Sequence, residues 1–188
     1  MKKIILTMAV VLTAAFTNAQ DKKESVTTKE IVFGVKAGYV NANYGSDAND
    51  GDARSGFYIG GLVDFHITEK FHVQPELLYT MEGNGEDEFD LNFVRIPVMG
   101  KFFVGEGFNI QAGPQFGFVA GGGAAKEFLK SFDFGLGFGA AYELPSGLFF
   151  DARYNLGLSD LNDFPAGSGL EDAKITQNSF NIGLGYRF

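Results

Sequence analysis

His66 and His72 are the residues best suited to acid–base or metal chemistry, since imidazole titrates near neutral pH and ligates transition metals. They are the only two histidines of the chain, and they flank the turn signal Thr68-Glu69-Lys70. The chain has no cysteine, and no serine is arranged beside them, so activated-nucleophile chemistry lacks its parts. Both are read as structural histidines. No catalytic, cofactor-binding or metal-binding residue is assigned, and the expected protein is not an enzyme.

Ten further charges share one parity along alternating segments. Lys36, Arg95, Lys101, Arg153 and Arg187 are basic; Asp64, Glu76, Asp133, Glu143 and Asp151 are acidic. Five of each sign on one side of a sheet can neutralise one another, and buried charges persist only when paired and hydrogen-bonded. The expectation is an interlocked network of salt bridges forming a polar plug. A proton or ion path is the functional alternative.

The elements that position these charges are strands. The last eleven residues, NSFNIGLGYRF, place Phe180, Ile182, Leu184, Tyr186 and Phe188 on one face. Ser179, Asn181, Gly183, Gly185 and Arg187 fall on the other. Period-2 alternation is the mark of a strand, and eleven residues can cross a bilayer when tilted. Seven more alternating segments precede it, beginning at Ile31, which predicts an eight-stranded antiparallel up-and-down transmembrane β-barrel. The parity opposite the oily face holds eleven glycines, Gly34, Gly38 and Gly60 among them. Glycine suits a crowded narrow lumen better than a water-facing wall, which argues against a soluble lipocalin-like barrel with its apolar face turned inward. On the oily face, aromatics cluster near the long loops (Tyr39, Phe57, Tyr79, Phe118, Phe132, Phe180) and near the tight turns (Phe33, Phe65, Phe71, Phe102, Phe108, Tyr142, Tyr186, Phe188). Two such girdles belong to membrane barrels. Pro75, Pro97 and Pro114 fall inside strands, where a bulge or a frayed ladder bond is expected at each.

Tight connections around Glu69, Glu106 and Ser146 alternate with long ones, roughly 41–55, 81–91, 120–130 and 159–176. This is the pattern of periplasmic turns and extracellular loops. The long connections carry thirteen acids, including Asp47, Glu82, Glu86, Asp160 and Asp163, against Arg54, Lys126, Lys130 and Lys174. SDANDGD (46–52) fails the ligand spacing of an EF-hand, and Gly121-Gly122-Gly123 with Lys126 is not a phosphate loop. The acidic loops are read first as a solvated surface; the functional alternative is divalent cations that bridge them to anionic lipopolysaccharide, or a basic partner.

Residues 1–19 have the layout of a cleaved signal peptide. Lys2 and Lys3 precede the apolar run Ile4 to Phe16, and Thr17-Asn18-Ala19 forms a small-residue exit. Residues 20–30 are polar and aperiodic, a flexible periplasmic tail, and 31–188 form the barrel domain. A net charge of −8 argues against nucleic acid as a partner.

QPELLY (74–79), RIPVMGKFF (95–103), FDFGLGFGAAYEL (132–144), DARYNLGLSDL (151–161) and the terminal YRF resemble the PorT-like outer-membrane β-barrel family of Bacteroidetes-type bacteria. The likeness runs from about Ile31 to the end. It implies an eight-stranded barrel in the outer membrane and carries over no catalytic residue. The secretion role of the founding member is not inherited from a general barrel pattern.

The sequence therefore predicts an exported outer-membrane barrel with a side-chain-filled lumen and a structural or surface-interaction role through its acidic loops. Its expected partners are outer-membrane lipid and lipopolysaccharide, and the barrel assembly machinery through the C-terminal strand. A narrow pore or secretion-associated component is the first alternative; a soluble lipid binder is the second.

Overall fold

The computed structural model describes residues 30–46, 53–83, 91–122, 130–162 and 175–188. The expected signal peptide, nearly all of the expected tail and most of the loop acids lie outside these residues. Eight strands are present: β1 (Ile31–Ser46), β2 (Ala53–His66), β3 (Phe71–Gly83), β4 (Leu91–Phe103), β5 (Phe108–Gly122), β6 (Phe132–Glu143), β7 (Leu148–Gly157) and β8 (Ile175–Arg187). Each pairs antiparallel with its sequence neighbours, and β8 closes on β1 from Gly34↔Arg187 to Ser46↔Ile175. The seam ends with the Phe188 N–H donating to the Phe33 carbonyl at 2.9 Å. Closure leaves no unpaired sheet edge, the condition a sheet must meet to cross hydrocarbon.

The alternation in the sequence becomes an inside-out molecule. Ile59, Phe138, Phe150, Ile182 and Leu184 stand exposed on the outer wall, while Lys36, Asp64, Glu76, Lys101 and Arg153 are buried within. A lipocalin-like barrel would have the reverse arrangement. All five expected outward residues of the C-terminal segment, Phe180, Ile182, Leu184 and Tyr186 on β8 and Phe188 just after it, are exposed.

The tight turns gather at one end. Gly107 (φ 73°) and Gly147 (φ 91°) take the left-handed conformation that only glycine adopts cheaply. The turn between β2 and β3 has no glycine and uses the Thr68 hydroxyl instead, which accepts the Phe71 N–H at 2.9 Å.

None of the three strand prolines makes a bulge. Pairing instead lapses on one side of each and holds on the other. Pro75 pairs with Val98, Pro97 with Gln115 and Pro114 with Leu136, while the ladder toward the preceding strand is interrupted at each. A missing N–H costs one ladder bond, and register is the same on either side of each gap. The one register shift lies elsewhere, between Asn92 and Phe93 on β4, where β5 carries an extra residue.

The strands outrun the sequence reading at the long-loop end. β1 continues to Ser46, β2 starts at Ala53 and β3 continues to Gly83. Arg54 and Glu82, expected in loops, are strand residues, and Glu82 is buried inside the barrel. At the start of β2, Ala53 and Ser55 give no apolar signal around Arg54, so pairing persists where the period-2 pattern has faded; on β3 the alternation itself runs on through the exposed Met81 and the buried Glu82.

Candidate functional site in the barrel lumen

The inward side chains form three tiers of ion pairs along the barrel axis. The middle tier joins β1, β3 and β7. Arg153 grips Glu76 with both terminal nitrogens, at 2.9 and 2.6 Å. Lys36 donates to Asp151 at 2.8 Å and lies 3.5 Å from Glu76. Such forked guanidinium–carboxylate pairs are the stronger class of hydrogen bond.

The tier near the tight turns joins β2, β4, β6 and β8. Lys101 Nζ donates to Asp64 Oδ2 at 2.6 Å, to Gln74 at 2.9 Å and to Glu143. Arg187 pairs with Glu143 and lies 3.6 Å from Asp64. At the long-loop end, Arg95 donates to Glu82 at 2.9 Å, Asp133 at 3.0 Å and Gln177 at 2.7 Å. The Tyr44 hydroxyl donates to Glu82 at 2.7 Å, and the Arg54 guanidinium lies over the Tyr44 ring at 4.9 Å. The structure thus brings all ten sequence-predicted charges into the lumen and adds Glu82 and Arg54.

Tyr58, Tyr44 and Gln177 are lumen residues that sequence reasoning gave no role. For Tyr58 the signal lay in the glycines. The Tyr58 ring lies where a Cβ at Gly38 would stand, 2.6 Å from Cζ, and its hydroxyl crowds Gly183. A bulky inward aromatic opposite two glycines is thus a complementary set. Around it, Tyr58 Oη, Asp151 Oδ1 and Asn181 Oδ1 are buried without a hydrogen-bond partner among the described residues. Arg153 Nε lies 3.0 Å from Asp151 Oδ2 but out of line for a hydrogen bond.

At the tight-turn mouth His66 and His72 stand opposite one another across the β2–β3 pair. Their rings stack with centroids 3.9 Å apart, tilted by 26°. His72 Nδ1 lies 3.0 Å from Asp64 Oδ1. His66 differs: its Nε2 is buried, 3.9 Å from the same oxygen, and has no hydrogen-bond partner among the described residues. His72 is therefore a satisfied histidine and His66 is not.

Outside the membrane-spanning strands, the segment after β7 is tied to β8 by Asp160. Its Oδ1 accepts the backbone N–H groups of Asn162 and Ile175, each at 3.0 Å, and Lys130 lies 3.6 Å from Oδ2. Partial burial pushes the carboxyl up, but these donors and the ammonium outweigh it and hold it below the usual carboxylate range.

Residues 18–163 match the family described as outer membrane protein beta-barrel domain. Among solved structures, Neisserial surface protein A has a TM-score of 0.53 at 17% identity, over 83% of this chain and 97% of that one. Ail, the attachment invasion locus protein of Yersinia pestis, has a TM-score of 0.54 at 17% identity, over 85% and 99%. Ail in complex with the heparin analogue sucrose octasulfate has a TM-score of 0.51 at 19% identity, over 85% and 99%. At these identities the likeness is one of fold. No curated protein matches the sequence.

Proposed function

Because this chain belongs to the outer membrane protein beta-barrel domain family, and its place is the outer membrane, we propose that it is an anchor and not a conduit. In this reading the filled lumen holds a rigid barrel in the bilayer, and the long acidic loops present an interaction surface outside the cell. The supporting observation is that Arg153 and Glu76, on strands across the barrel from each other, meet in a doubly hydrogen-bonded pair. An eight-stranded barrel has only enough interior for its own side chains, so a pair spanning that interior leaves little room for a solute. The motifs quoted above favour the PorT-like branch as the finer family placement, without a secretion role.

The loops set the class of partner. The heparin analogue held by Ail is a polyanion, and the acid excess of these loops has the wrong sign for such a ligand. Divalent cations bridging to lipopolysaccharide, or a basic protein surface, fit the sign. The C-terminal strand, with Phe188 at its end, is the segment we assign to recognition by the barrel assembly machinery.

The absence of cysteine makes the topology directly testable. Asp87→Cys in a long loop should react with a membrane-impermeant maleimide on intact cells, and Glu106→Cys in a tight turn should react only after lysis. The opposite pattern would invert the orientation and remove the surface role.

A further inference from the structure

We propose that Asp64, His66 and His72 form a binding site for one first-row divalent metal ion of the zinc class at the tight-turn mouth of the barrel. The sheet itself assembles the three ligands. Asp64 and His66 are two residues apart on β2 and so share its inward face, and His72 is the direct cross-strand partner of His66. One ligand atom from each residue falls within 4.8 Å of the other two. Ligands sharing a tetrahedral zinc ion at ~2.0–2.1 Å stand about 3.4 Å apart, so a small rotation of the imidazoles closes the set.

The local hydrogen bonding points the same way. His66 Nε2 is buried with no hydrogen-bond partner among the described residues. Its 3.9 Å separation from Asp64 Oδ1 is too long for a hydrogen bond and suits two ligands of one ion. Asp64 divides its oxygens: Oδ2 is held by Lys101 at 2.6 Å, and Oδ1 is in a 3.0 Å hydrogen bond with His72 Nδ1 whose proton the ion would replace. The other nitrogen of His66, Nδ1, has the exposed Glu30 carboxylate 3.6 Å away, too far for a hydrogen bond. Lys101 and Arg187 share Glu143 and Asp64, so Glu143 offsets one of their two positive charges and the ion competes with them for Asp64.

Two imidazoles and one carboxylate select zinc, nickel or copper over calcium or magnesium, which take all-oxygen sites. Three protein ligands leave a fourth position open. Beside the two imidazoles lies a recess of about 300 Å³ lined also by Phe103, Glu143, Leu144 and Arg187, with room for a water or an incoming ligand to complete the shell. Unlike a cation held by the loops, this ion would sit at the opposite end of the barrel.

The test is a zinc titration of the folded barrel in detergent, followed by calorimetry, for the wild type, His66→Ala and the His66→Ala/His72→Ala double variant. The loop acids are common to all three, so they cancel in the comparison. The wild type should bind one tight zinc ion per chain, and both variants should lose at least tenfold in affinity while keeping a heat-shifted gel band. Equal tight binding by wild type and variants, or no tight binding by the wild type, would overturn the proposal. Should the double variant fail to fold, cobalt(II) added to the wild type decides. A tetrahedral visible spectrum supports the site, and an unchanged aqueous cobalt spectrum overturns it.

Discussion

Arg153 on β7 reaches across the barrel to Glu76 on β3 and holds it through two hydrogen bonds of 2.9 and 2.6 Å. In a closed ring of eight strands, β3 and β7 lie on opposite walls. Arg95 on β4 does the same toward Gln177 on β8, at 2.7 Å. Two neighbouring pairs of opposed walls are thus cross-braced at different heights.

The Arg153–Glu76 brace should be strongly cooperative. Removing one member of a buried pair strands the other charge, at a cost of about 3–5 kcal/mol, whereas replacing both with apolar groups is often close to neutral. Arg153→Met or Glu76→Leu alone should lower the urea midpoint of refolded barrel sharply, and the double variant should recover most of the loss. Additive losses would mean that the two side chains stabilise the barrel independently.

Tyr58 and Gly183 should behave as a lock and its seat. A Cβ at Gly183 meets the Tyr58 hydroxyl and comes 2.8 Å from Asp151 Oδ1. Gly183→Ala should destabilise by about 1–3 kcal/mol, the usual cost of overpacking. Tyr58→Phe removes the atom most in the way and should restore part of it. The midpoints of the two single variants and the double variant measure the coupling directly.

Asp160 makes the junction of β8 sensitive to acid. Its carboxyl lies below the usual range because, against the effect of burial, the N–H groups of Asn162 and Ile175 and the Lys130 ammonium favour the charged form. A carboxyl depressed on folding stabilises the fold fully above its free value, and that contribution is lost as pH falls through the folded value. Hydrogen exchange at the Ile175 amide should therefore quicken, relative to the intrinsic rate, as the solution is acidified. Asp160→Asn should flatten that dependence.

Much of this was legible in the residues, and the reason is the bilayer. Lipid on one side and a narrow polar lumen on the other impose a period of two, so Ile182, Leu184 and Tyr186 declare their face and Arg153 and Asp151 declare theirs. Arg54 was illegible because Ala53 and Ser55 beside it carry no apolar signal; Glu82 kept the parity set by the outward Met81, but an acid at a strand end resembles a loop residue. The cluster at the mouth was half legible: both histidines stood out, but their pairing depends on register. Only the four-residue turn Ile67–Lys70 sets His66 opposite His72. Tyr58 had the right parity, yet its role emerged only when Gly38 and Gly183 proved to lie beneath its ring.

The end of β8 should matter more to biogenesis than any loop cation. Phe188 is 76% exposed on the outer wall and packs edge-on against Tyr186, with centroids 5.5 Å apart. Truncation removes the ring's contact with Tyr186 and its apolar surface at the end of the segment that closes the barrel. Phe188→Ala should lower the amount of heat-shifted barrel in outer-membrane fractions, and Lys126→Ala should leave it unchanged. Equal levels of the two variants would contradict this assignment.

The claim of a lumen closed by its own side chains is tested most directly by electrical recording of the purified barrel in a planar lipid bilayer. A barrel braced by Arg153–Glu76 and Arg95–Gln177 should insert and leave the membrane at its baseline conductance. Persistent unitary current steps from the wild-type protein would contradict the account and make the molecule a pore.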